Sequence, residues 1–256
     1  MLEHWKQLHW QMAEAPTLVV SGVRKIVGDV QFELPGSCLH TDLDFTDLGF
    51  RGKNKFNQLK RTYWNQESVD SAVEKLLSRK GSPHASAAVR LQAGDKDSRS
   101  SGYCMQNMVI TICKERSFID LHYRSTEVSL KFLADLIFFS RMLPPVFDAL
   151  GIQPEVIRFK FANAFMSALF QPIFLRFEED PVGFYKHLKK HDPRFFRTYG
   201  LASSKYSLKE HNYTFRSRIL MFEYVKAHIP QKKLDLLIPI IGNLRGELNI
   251  TEEDED

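Results

Sequence analysis

Three side chains in the middle of the chain have the types and spacing to support covalent chemistry: Cys104, Arg124 and Asp135. A thiol becomes a strong nucleophile when its pKa is lowered, and a neighbouring guanidinium lowers it. A carboxylate beside the pair supplies an acceptor that can orient a polar ligand. The flanking segments must bring the three together. Met108, Val109, Ile110, Thr111 and Ile112 nearly alternate and predict a buried strand beginning just after Cys104. Phe118, Ile119, Asp120, Leu121, His122, Tyr123 and Arg124 predict a second strand, after the short polar link Lys114, Glu115, Arg116, Ser117. Two strands so joined pair antiparallel, which carries Cys104 and Arg124 towards the same edge of a sheet. From Val128 the period becomes helical: Leu130, Leu133, Ile137 and Ser140 share a face, and Pro144 and Pro145 end the helix. Asp135 rides on that helix.

These residues and the intervals between them resemble the thymidylate synthase superfamily. In that family a nucleophilic cysteine opens a strand, an Arg-Ser pair ends the next, and a long central helix carries an Asn or Asp that reads a pyrimidine. The matching positions are Cys104, the pair Arg124 and Ser125 in YRSTE, and Asp135. An aspartate at the last position is similar to the phage deoxycytidylate hydroxymethylases. The segment IQPEVIRFKFANAFMSALFQPIFL looks like the family's passage from strand to helix, and the resemblance spans roughly residues 20–180.

The resemblance implies an α+β fold with a large mixed β-sheet flanked by helices and a homodimer packed sheet to sheet. The synthase-like domain would run over residues 1–232, with a C-terminal element and acidic tail over 233–256. It implies a pyrimidine nucleotide as substrate and 5,10-methylenetetrahydrofolate as one-carbon donor. A thiolate at Cys104 adds to C6 of the base, C5 attacks the one-carbon unit, and capture by water or by hydride gives a hydroxymethyl or a methyl product. Arg124, Ser125 and the loop residue Arg24 would bind substrate, Asp135 would accept from a cytosine 4-amino group, and Glu127 stands where an aspartate contacts folate. Several positions depart from the family. No arginine pair follows the helix of residues 67–79, where Ser82, Pro83, His84, Ala85 and Ser86 occur instead. Phe165 and Ser167 replace a His-x-Tyr pair, residues 36–57 show no catalytic glutamate motif, and the charged Lys131 replaces a glycine. Two alternatives to a C5 transferase therefore stay open: a catalytically lapsed relative acting as a binding or assembly module, or the same chemistry on an altered pyrimidine.

Composition sets wider bounds. A chain of 256 residues, 43% hydrophobic and 26% charged, is ordinary for a globular protein with a sizeable core. The net charge of +4 permits an anionic ligand without demanding nucleic acid. Cys38, Cys104 and Cys113 show no paired spacing, which argues against a disulfide framework or a metal site and suits a reducing cytoplasm. The amphipathic start, MLEHWKQLHWQMAEA, lacks the apolar core of a signal peptide, and no apolar run reaches membrane-spanning length. Residues 2–14 predict a helix with Trp5, Leu8 and Met12 on one side. Residues 18–20, 25–27 and 30–34 predict strands with turns at Gly22 and Gly28, and 36–57 predicts a polar connection in which Asp42, Asp44 and Asp47 are solvated. A helix over 67–79 is capped by Asn65 or Ser68, a strand follows over 87–92, and 93–101 is a loop. Cys113 is expected in the core, Arg24 reads by itself as a solvated turn residue, and the basic, aromatic stretch 180–201 reads as a solvated face or a nucleic-acid patch.

Overall fold

The computed structural model describes residues 1–167 except 17, 22–23, 49, 51, 92–103 and 115, together with Phe174 and Phe177. The loop expected over 93–101, the turn at Gly22, the stretch 180–201 and the acidic tail lie outside the described residues. In chain order the elements are α1 (Leu2–Glu14), β1 (Val19–Ser21), β2 (Arg24–Pro35), α2 (Gly52–Tyr63), α3 (Gln66–Leu77), β3 (Ala85–Arg90), β4 (Met105–Cys113), β5 (Arg116–Glu127), α4 (Lys131–Met142), α5 (Pro144–Leu150) and β6 (Val156–Ser167). Short 3-10 turns at Gly36–Cys38 and Phe45–Leu48 fall between β2 and α2.

The strands form one six-stranded sheet in the order β1-β2-β6-β5-β4-β3. The β4–β5 hairpin is antiparallel, β5 and β6 run parallel, and β2 runs antiparallel to β6, so the sheet is mixed. The parallel pair requires a crossover, and α4 with α5 supplies it. The fold is thus α+β with a mixed sheet flanked by helices, as the resemblance implies. On β5, Ile119, Leu121 and Tyr123 are buried while Asp120, His122 and Arg124 lie towards the other face, the alternation a half-covered strand requires. The buried face packs an aromatic cluster in which Phe132 meets Phe32, Phe159 and Phe161 at centroid distances of 5.4, 5.2 and 5.0 Å.

α4 is apolar nearly all round, with every residue from Phe132 to Phe139 buried, as a helix enclosed by other elements must be. Each large side chain removed from water there contributes roughly 1.5–3 kcal/mol. α3 begins where expected: the Asn65 side chain accepts from the Ser68 N–H at 3.1 Å. Pro144 opens α5 at a position where its missing N–H costs nothing.

Three expectations need correction. Gly28 is not a turn, because β2 runs unbroken through it and the irregularity falls on Asp29, whose φ is 50°. The pairing steps from Gly28 opposite Asn163 to Val30 opposite Phe161 across that point. Residues 36–57 are not a plain connection, since they hold both 3-10 turns and the first half of α2. Within them Asp44 is bonded, its carboxylate meeting the Arg141 guanidinium at 3.0 Å. Cys113 is exposed at the end of β4 rather than packed in the core.

Candidate active site

Cys104 sits immediately before β4 and is half-buried against the core. The hairpin places it: the Arg124 N–H donates to the Cys104 carbonyl at 2.7 Å, and Met105 lies opposite Tyr123. A bulge follows between Met105 and Asn107, where the register shifts by one residue. Bulges re-aim the side chains beside them, and this one lets Met105 and Met108 both face the core. The expected meeting of Cys104 and Arg124 is therefore realised through the main chain. The Arg124 side chain is exposed, on the face opposite its buried neighbour Tyr123.

Asp135 projects from the second turn of α4 and keeps only 5% of its surface exposed. Burial pushes its carboxyl up to about 7, with the positive charges of Lys55 and Lys131 offsetting part of that rise. Lys55 comes from α2, its ammonium 4.7 Å from the centre of the Phe50 ring. Desolvation lowers its pKa, while the Asp135 charge acts in the opposite direction. Tyr63, two turns further along α2, has its phenol raised first by burial and then by electrostatic interaction with Asp135 and Cys104. Tyr123 is raised in the same way, with burial first, then Asp135, Tyr63 and Cys104. A thiol, two phenols, a carboxyl and an ammonium therefore lie close enough to act on one another, beside the contact between α2 and α4. Such a grouping can hold a small polar ligand beside a nucleophile.

The other expected residues are placed differently. Ser125 is half-buried on β5 opposite Asn163. Arg24 opens β2 opposite Ser21 and Ser167, with β6 and β5 between it and the strand that Cys104 precedes. Glu127 is fully buried, and its carboxylate accepts from the N–H groups of Ser129, Leu130 and Lys131 at 2.9, 2.8 and 3.2 Å. It caps α4 with those bonds, so as it stands it does not fit a contact to folate. Lys131 is exposed and adds positive charge at the same helix start. Sequence reasoning missed Lys55, Tyr63 and the site role of Tyr123. The signal for α2 was present but thin: Phe56, Leu59 and Tyr63 fall at helical spacing among polar neighbours.

No protein-family model matches the chain, and no curated protein matches it in sequence. Solved structures do match. The thymidylate synthase of T4 phage superposes with a TM-score of 0.44 at 8% identity, over 64% of this chain and 76% of that one. Thermostable thymidylate synthase A from Bacillus subtilis superposes with a TM-score of 0.43 at 12% identity, over 56% of this chain and 66% of that one. The likeness is one of outline. It does not carry activity or substrate to this protein. Among the described residues no helix is long and apolar enough to cross a membrane, and no group of His, Cys, Asp and Glu is arranged to hold a metal ion.

Proposed function

We propose that this site binds a pyrimidine nucleotide, a cytosine nucleotide in the first instance, and that Cys104 adds to C6 of the base as the opening half of a C5 transfer. The observation that supports this reading is the buried carboxyl of Asp135 held in the same neighbourhood as the half-buried thiol of Cys104. In the addition, the S–C6 bond forms and the C5=C6 electron pair moves to C5, with its charge spread towards C4 and N3. C5 then takes an electrophile. Loss of the original C5 proton restores the double bond and expels the thiolate, so the enzyme ends unchanged. Asp135 holds the 4-amino group, while Lys55 and Lys131 keep the carboxylate from standing as an uncompensated buried charge. The one-carbon donor implied by the resemblance is 5,10-methylenetetrahydrofolate, and no step above depends on it.

The test follows from that independence. With no donor present, C5 takes a proton from water, so dCMP labelled with deuterium at C5 loses its label. Wild type is expected to catalyse this exchange and Cys104→Ser to abolish it. A second reading, a lapsed relative that only binds its ligand, is favoured by the engagement of Glu127 in capping α4. Binding of dCMP without any exchange would decide for that second reading.

A further inference from the structure

The Tyr123 side chain is fully buried, with 2% of its surface exposed, yet its hydroxyl finds no hydrogen-bond partner among the described residues. A buried polar atom without a partner is uncommon and costly, so it points to a ligand or to bound water. Its ring is fixed by packing against Phe132 and Phe161, at centroid distances of 6.4 and 5.2 Å, so the hydroxyl has little freedom to search elsewhere. The surroundings of that hydroxyl are those of the site above: Asp135, Tyr63 and Cys104 all act on it. Because burial raises the phenol, it stays protonated and remains a donor at working pH.

Resting on the nucleotide reading above, we infer that Tyr123 and Asp135 together read the edge of a 4-aminopyrimidine. The phenol O–H donates to ring N3, and the carboxylate accepts from the 4-amino group. A carboxylate alone serves only half of that edge, since N3 of neutral cytosine carries a lone pair that a second acceptor would repel. The unpartnered hydroxyl supplies the missing donor. A uracil edge, with O4 as acceptor, still sets oxygen against oxygen at Asp135 whichever way the phenol turns.

The experiment uses the full-length protein and its Tyr123→Phe variant, with dCMP and 3-deaza-dCMP, which lacks the N3 acceptor, as probes. Calorimetry is expected to show about a tenfold weaker dCMP affinity in Y123F. The deaza probe should bind both proteins equally, at about the affinity of Y123F for dCMP. The thermal midpoint of free Y123F should equal or exceed that of wild type, because removing an unpartnered hydroxyl costs the fold nothing. Equal dCMP affinity in the two proteins overturns the inference and leaves the nucleotide reading standing. A clear fall in the midpoint also overturns it, by showing that the fold already uses the hydroxyl. Failure of wild type to bind dCMP at all overturns both.

Discussion

Asp135 links the stability of the fold to the chemistry of its site through one proton. Its carboxyl ionises near 3.8 when unfolded and at about 7 when folded. Between those values the folded chain holds a proton that the unfolded chain has released. Stability therefore falls as pH rises through that window, and levels off above it. Asp135→Asn has no such proton, so its unfolding midpoint should change less with pH. Its advantage over wild type should grow from about pH 5 to about pH 8, reaching on the order of a few kcal/mol. Thermal melts of both proteins across that range would check this, and parallel curves would sink it. On the cytosine reading proposed above, the same proton would govern base choice. As a carboxylate, Asp135 would repel O4 of a bound uracil, at a cost of about 1–3 kcal/mol or one to two decades of affinity. As a neutral acid it turns a donor towards O4, so the preference for dCMP over dUMP should shrink as pH drops below 7. The Asn variant should gain dUMP binding and show no such trend. At Cys113, exposure means that alkylation rates compared across the wild-type cysteines mix access with reactivity. Cys104 labelling is best followed in a Cys113→Ser background, where the thiol at 104 should still react faster than Cys38.

At the scale of elements, α4 depends on Glu127 for its start. Replacing Glu127 by Ala leaves three backbone N–H groups without their acceptor, two of them in the interior. The expected loss is about 2–4 kcal/mol, measurable as a lower urea midpoint; a loss under about 1 kcal/mol would show that the cap is dispensable. Gly36 is similarly constrained, since a Cβ there would fall 1.9 Å from the Pro154 carbonyl oxygen, a backbone atom that cannot move aside cheaply. Gly36→Ala should therefore destabilise by roughly 2 kcal/mol or more. These elements differ in how far the sequence reveals them. The hairpin and α4 are legible because the apolar period changes from two to nearly four at Val128. α2 is not, because Phe56, Leu59 and Tyr63 are thinly spread among Lys, Asn, Gln and Arg, and with α2 went Lys55 and Tyr63. Glu127 reads from sequence as a folate contact and not as a cap, since only the path of the chain after Val128 decides where its carboxylate turns. The bulge before Asn107 leaves no mark in the apolar pattern, being a property of how β4 pairs with β5, and the positive φ of Asp29 leaves none either.

Among the described residues, the face of the sheet that carries Ile119, Leu121 and Tyr123 is buried against the core. The opposite face carries Glu33, Asp120, Arg158 and Lys160 in one connected set, with Arg158 reaching Glu33 at 3.3 Å and Asp120 at 3.5 Å, and Lys160 reaching Asp120 at 3.0 Å. Two acids and two bases balance within that set, and Arg124 adds a positive charge on the same face. The sheet-to-sheet homodimer expected from the resemblance is compatible with that face. Sedimentation at micromolar concentration should show a dimer. Arg158→Glu, counted twice in an isologous contact, should weaken it strongly. A wild-type monomer, or an R158E dimer of equal strength, would exclude this face.

The attachment of α1 has a consequence in time. Its Trp5 indole donates to the Val128 carbonyl at 2.7 Å, across 123 residues of sequence, and His9 meets the Ser129 hydroxyl at 3.1 Å, across 120. A ribosome needs on the order of ten seconds to make the intervening chain. Throughout that interval a 13-residue helix, too short to persist alone, carries Trp5, Leu8 and Met12 without the partners that Val128 and Ser129 supply. Such a nascent segment is a natural client for chaperones that shield apolar surface during synthesis. In refolding, its docking awaits the closure of the longest loops in the fold. α1 is thus held until the strand and helix bearing the site have formed, and the indole of Trp5 is well placed to report that docking step by fluorescence.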